Sequence, residues 1–163
     1  MAFIVEDNTG LSNSNAYIDV QFLRDYCLIV GYDVTAKTDA ELEPVISRVT
    51  LAYIDVEYNF SGAVLNADQA LKLPTDEVLI NDKIRRAVAE ACIVALKGSL
   101  FPEPSNDAKI KKTRTKLDVI EEEIEYTSGI DNNEGSPTPV TDSLLLPYLA
   151  TVSSGVIGTV QVW

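Results

Sequence analysis

Few residues of this chain are of a type that does chemistry on its own. There are two cysteines, Cys27 and Cys92, and no histidine. Without histidine the most frequent general base and metal ligand is missing, and so is every Ser–His or Cys–His pair. Both cysteines lie in apolar, helix-like stretches and no C-x-x-C spacing occurs. That predicts two reduced, buried thiols and gives a zinc site no support. No G-x-G-x-x-G, P-loop, H-E-x-x-H or EF-hand pattern is present. Carboxylates are plentiful but form no recognisable constellation. The expectation is a chain that is not an enzyme and needs neither cofactor nor metal.

Two stretches carry a chemical signal. In the first, Lys109, Lys111, Lys112, Arg114 and Lys116 precede Asp118, Glu121, Glu122, Glu123 and Glu125. This charge split fits a solvated exposed element. It also fits a contact in which the basic end of one copy meets the acidic end of the next. A third reading is a phosphate-binding patch, but no stacking platform accompanies it, since Tyr126 lies among glutamates. The second stretch is the tail, GVIGTVQVW, which ends in the only tryptophan, Trp163. As an extended peptide it puts Val156, Gly158, Val160 and Val162 on one face. Ile157, Thr159, Gln161 and Trp163 fall on the other. Such a tail docks on its own domain, ends free, or adds to a partner's sheet edge with Trp163 as the anchor.

The elements that must position these stretches are mostly helical. Asp19 is a plausible N-cap for VQFLRDYCLIV, and Gly31 closes that helix. Thr38 and Glu41 stand at capping-box spacing before a helix over roughly 39–58. Its apolar stripe is Leu42, Val45, Ile46, Val49, Ala52, Tyr53 and Val56, and Pro44 falls near its start. NADQALKLP reads as a single helical turn. Asn81 caps a third helix, with Ile84, Val88, Ala91, Cys92, Ala95 and Leu96 inward and Gly98 as its stop. Thr141 caps a short last helix that Pro147 limits. FIVED, residues 3–7, reads as a short strand. Over 109–126 the glutamate run favours helix by propensity, whereas alternation with Thr, Val, Ile and Tyr favours a strand or hairpin. Strand is the expectation. Tyr17, Tyr26, Tyr53, Tyr58 and Phe60 are expected in the core.

The fold class expected is therefore mainly α. It is a small bundle of about four helices with a long β-strand or hairpin element and an extended C-terminal arm. The domain covers 1–149, with the β element at about 109–126 and a loop at 127–140, and the arm covers 150–163. The chain has 163 residues, 46% of them hydrophobic, which suits one ordinary domain with a core. No apolar run approaches the ~20 residues of a membrane span, and MAFIVEDNTG lacks the marks of a signal peptide. A soluble intracellular product is expected. The net charge of −12 argues against non-specific DNA binding by the domain as a whole.

Several blocks, in order, resemble a known family. They are Gly10, Asn15, Ala16, Tyr17 and Tyr26; then Arg48, Thr50, Tyr53, Ile54, Asp55 and Gly62. Gln69, Ala70, Leu71 and Pro74 follow, then Ile84, Arg85, Ala87, Glu90 and Ala91. IEEEIEY and TDSLLLPYL match the last two blocks. Leu73 stands where that family usually has tryptophan. The chain resembles the phage head–tail adaptor group, also labelled the DnaT-like domain, over residues 1 to about 150. The resemblance implies a structural virion protein at the head–tail junction, present in the host cytoplasm before assembly. Its copies would form a dodecameric homo-oligomer ring under the portal protein. That ring would extend the DNA channel, meet a tail-side stopper or tail protein, and let DNA pass without specific binding along an acidic wall.

On this reading the tail is a portal-docking arm, with Val156, Ile157, Val160, Val162 and Trp163 as anchors. The intersubunit or tail-facing element is Lys111, Lys112, Arg114, Lys116, Glu121, Glu122, Glu123 and Glu125. The DnaT-like label implies something different, a single-stranded DNA-binding accessory of replication. The two implications conflict. A purely structural role in assembly is the expectation, and single-stranded DNA binding is the alternative.

Overall fold

Helix α1, Val20–Val30, starts where the Asp19 carboxylate accepts the Phe22 N–H at 2.7 Å. It stops at Gly31, whose φ of 76° is left-handed. The computed structural model that shows this describes residues 2–98, 100–101, 111–117, 120–126 and 136–150. For 111–117 and 120–126 it describes the backbone alone. Helix α2, Asp39–Val49, begins at the expected box: the Glu41 carboxylate accepts the Thr38 N–H at 2.8 Å and its hydroxyl at 2.9 Å. Pro44 lies inside α2 and faces solvent, and the helix runs through it.

The single helix expected over 39–58 is not regular. After Val49 the chain widens into a π turn, Thr50–Ile54, and ends in one further turn, α3, Asp55–Glu57. The wider turn moves the buried face out of phase with a 3.6-residue period. Leu42, Ile46 and Val49 are buried as expected, but beyond them Thr50 and Ile54 point inward. Ala52 and Val56, placed in the stripe by spacing, face solvent instead.

Helix α4, Asp82–Leu96, is the centre of the body. Asn81 Oδ1 accepts from the N–H groups of Lys83 at 2.9 Å and Ile84 at 3.3 Å. Ile84, Val88, Ala91 and Cys92 are buried as expected, joined by Ala87, Ala89 and Ile93. The small alanines let α5, Pro139–Leu145, approach closely enough for the Thr141 hydroxyl to donate to the Ala87 carbonyl at 3.1 Å. Thr141 is thus an interior residue. The N-cap is Thr138, with Pro139 at the first helical position, so the last helix starts one turn earlier than expected. Pro147 falls in the short 3₁₀ turn that follows, Leu146–Tyr148.

Two further expectations change. NADQALKLP forms bends and turns rather than a helical turn. The short strand expected at FIVED is one isolated parallel bridge, Val5 to Ala16. The described residues of the helical body make only isolated bridges. The backbone of β1, Lys111–Leu117, pairs antiparallel with β2, Ile120–Tyr126, to make a two-stranded hairpin. Its register sets Lys112 opposite Glu125, Arg114 opposite Glu123 and Lys116 opposite Glu121.

The loop before α1 is organised by one buried acid. Glu6, 2% exposed, accepts from the N–H groups of Thr9, Gly10 and Leu11 and from the Ser14 hydroxyl, at 2.8 to 3.1 Å. Gly10 has a φ of 74°, and a Cβ there would lie 2.8 Å from Asn66 and Gln69 side-chain atoms. Any other residue there would hold a strained left-handed backbone and have to displace both amide side chains.

Candidate functional site

Several polar side chains of the body pair a phenol with an acceptor. The Tyr17 hydroxyl donates to Asp55 and accepts the Leu73 N–H at 3.0 Å. The other Asp55 oxygen accepts the Lys72 N–H at 3.0 Å. Tyr26 donates to Glu90 at 2.7 Å, and Tyr58 donates to Asp142. Tyr53 shares a hydrogen bond with Thr138 and meets the Tyr58 ring edge-on, their centroids 5.9 Å apart.

Burial, and then the Asp55 charge, pushes the Tyr17 phenol far above its ordinary range. Burial followed by the bond to Asp142 does the same for Tyr58. Tyr26 is pushed up to about 12 by burial and by Glu90. Burial raises the Asp55 carboxyl, opposed by the bonds from Tyr17 and Lys72. Each pair joins segments distant in sequence and closes its own hydrogen bonds. These bonds tie the fold together, and the groups serve it as scaffold. Of the tyrosines expected in the core, Tyr17 and Tyr58 are buried and Tyr26 and Tyr53 are half-buried against it, all with their hydroxyls hydrogen-bonded.

Cys27 and Cys92 are free and buried, as their contexts suggested. Burial lifts the Cys27 thiol to about 11 and the Cys92 thiol higher still, which holds both as inert neutral groups. Among the described residues no cluster of Cys, Asp or Glu is placed to hold a metal ion. No described helix is long and apolar enough to cross a membrane.

One surface region combines features that a ligand could use. It lies where α1 and α4 end. Both helices stop at a left-handed glycine, Gly31 and Gly98, with φ of 76° and 80°. An aromatic residue follows each: Tyr32 directly, and Phe101 three positions on. The exposed Lys97 ammonium stands 5.3 Å from the Tyr32 ring centroid. The exposed Arg48 guanidinium stands 4.2 Å from the Phe101 centroid. Both rings are half-buried, so each is fixed by the body beneath it while its cation meets water.

Beside Tyr32 opens a cleft of about 480 Å³, walled by Leu28 and Val34 and rimmed by Asp25 and Asp33. Arg24 stiffens its base, donating to the carbonyls of Lys37 at 2.7 Å and Val34 at 3.3 Å and pairing with Asp39 at 2.7 Å. Leu28 and Ile29, each 80% exposed, extend an apolar lip along α1.

These residues were not selected from the sequence. Arg48 stood out only as part of a family-like block, and Tyr32, Lys97 and Phe101 not at all. The readable signal was an aromatic placed just after a helix-stopping glycine, twice in one chain. Of the residues that were selected, Val156, Ile157, Val160, Val162 and Trp163 lie outside the described residues. The hairpin gives Lys111, Lys112, Arg114, Lys116, Glu121, Glu122, Glu123 and Glu125 a backbone register, but their side chains also lie outside the description.

Residues 1–162 match the family described as "Putative DnaT-like ssDNA binding protein", and the chain belongs to that family. No curated protein and no solved structure matches the chain. The match corrects the adaptor expectation. It runs across nearly the whole chain and names single-stranded DNA, with nothing in it of a virion, a head–tail connector, a portal or a ring. The expected portal and tail-side partners, and DNA passing without being bound, are withdrawn with it. The blocks that prompted the resemblance include members of the scaffold pairs above. Tyr17 with Asp55 and Tyr26 with Glu90 hold the fold and do not specify an assembly role.

Proposed function

We propose that this chain binds single-stranded DNA, without catalysing a reaction on it. The observation that carries this is membership, over residues 1–162, of a family described by that property. Physical chemistry adds a constraint on how. With a net charge of −12, the chain as a whole repels a polyphosphate. Attraction must then come from the bases, which only a single strand leaves free to stack on rings and guanidinium planes. The ring–cation pairs at the ends of α1 and α4 supply groups of that type.

The test is fluorescence anisotropy of a labelled oligothymidylate titrated with the full chain in low-salt buffer, alongside a duplex of equal length. Saturable binding to the single strand, with weaker binding to the duplex, is expected. An anisotropy that stays flat with protein in large excess would overturn the reading.

A further inference from the structure

We infer that the surface where α1 and α4 end is a base-stacking site, with Arg48 over Phe101 and Lys97 over Tyr32 as its two stations. The inference rests on the proposed single-strand binding and names the surface that performs it. The first argument is geometric. Arg48 lies 4.2 Å from the Phe101 centroid and is exposed, so its outer face is free to receive a base. A guanidinium backed by a ring loses little freedom when a base stacks on it, because its orientation is already restricted.

The second station adds a recess. Tyr32 borders the cleft of about 480 Å³, a volume in the range of small-ligand pockets. Asp25 and Asp33 on its rim repel phosphate. The cleft therefore favours the uncharged base over the backbone, while Lys97, which does not line the cleft, stands 5.3 Å from the Tyr32 ring centroid and offers a charge to a phosphate. Lys97 and Phe101 are four residues apart in sequence, so their Cα atoms are at most about 14 Å apart. Two stations at that spacing can be bridged by a short run of strand.

The competing surface is the basic strand of the hairpin. The two differ in the number of cations they offer. Releasing counterions from two phosphates gives a slope of log affinity against log salt of about −1.4 for a single strand; five gives about −3.5. The described site brings Arg48 and Lys97. The stretch 109–116 brings Lys109, Lys111, Lys112, Arg114 and Lys116.

The experiment measures oligothymidylate affinity and its salt slope for the full chain and for four variants: Phe101→Leu, Tyr32→Leu, Arg48→Gln, and Lys112→Gln combined with Arg114→Gln. Leucine keeps apolar bulk under each cation and removes the ring. A thermal melt by circular dichroism establishes that each variant is folded before its affinity is read. A shallow wild-type slope is expected. Each ring variant should weaken binding about tenfold, Arg48→Gln should weaken it and flatten the slope further, and the hairpin variant should change little. Ring variants that bind like wild type would overturn the site. So would a slope near −3.5 that collapses in the hairpin variant, leaving single-strand binding intact but moved elsewhere. A wild-type chain that binds no oligonucleotide would remove both the site and the function it rests on.

Discussion

Tyr17 shows how much a single hydroxyl can hold. It is fully buried, donates to Asp55 and accepts the Leu73 N–H, so it joins α1's approach, α3 and the turn after Leu71 at one atom. Phenylalanine would fill the same volume and leave Leu73 N–H without an acceptor in a dry site. Tyr17→Phe is therefore expected to lower stability by about 2 kcal/mol. In urea melts this appears as an earlier midpoint at unchanged slope; an unshifted midpoint would show that water or a shifted neighbour replaces the hydroxyl. At this scale the sequence was partly informative. That Tyr17, Tyr53 and Tyr58 face inward followed from their helix-periodic or turn contexts. Their partners did not, because Asp55, Thr138 and Asp142 look like ordinary surface residues until the fold brings them in. Glu6 was invisible for the same reason, since nothing in FIVED marks one acid as the acceptor of a whole loop. Arg48 and Phe101 stand 53 positions apart, and no local pattern joins them.

Among elements, caps were the most legible signals because they depend on residues within three or four positions. Asp19, Thr38 with Glu41, Asn81 and Gly31 all act as their types and places suggested. Asn81 does more than cap, for its Oδ1 also accepts from the Tyr148 hydroxyl at 3.3 Å and so links α4 to the segment after α5. Asn81→Ala is expected to cost about 1–2 kcal/mol, read as a lower melting temperature. Asn81→Asp, which keeps the acceptor, should lose less; equal losses would mean that the cap bonds contribute nothing. The π turn was not legible. A stripe read at 3.6 residues continues smoothly through Ala52 and Val56, and only the packed structure shows the register slipping at Thr50. The last helix was misplaced by a turn because both Thr138 and Thr141 have capping side chains. Pro139, fixed in φ and lacking an N–H, settles which one starts it.

At the scale of the molecule, the helical class was readable from periodicity, while the role was pulled astray by a family resemblance that the match over residues 1–162 corrects. Charge alone could not decide, because a net −12 opposes phosphate attraction but leaves base stacking untouched. The body closes through contacts that its last helix and the N-cap before it make with elements far back in the chain. Tyr53 meets Thr138 across 85 positions, Tyr58 meets Asp142 across 84, and Thr141 meets Ala87 across 54. These clasps bear on speed as well as strength. Helices with only local neighbours assemble fast, whereas each of these clasps requires a long stretch of chain to find its far end first. Refolding after rapid dilution from urea should therefore be slower than in a local helical bundle of this length. Tyr58→Phe should hasten unfolding more than it slows refolding if that clasp closes after the rate-limiting step. Stopped-flow traces with submillisecond refolding would show instead that the clasps close early, and that the search is short despite the distance along the chain.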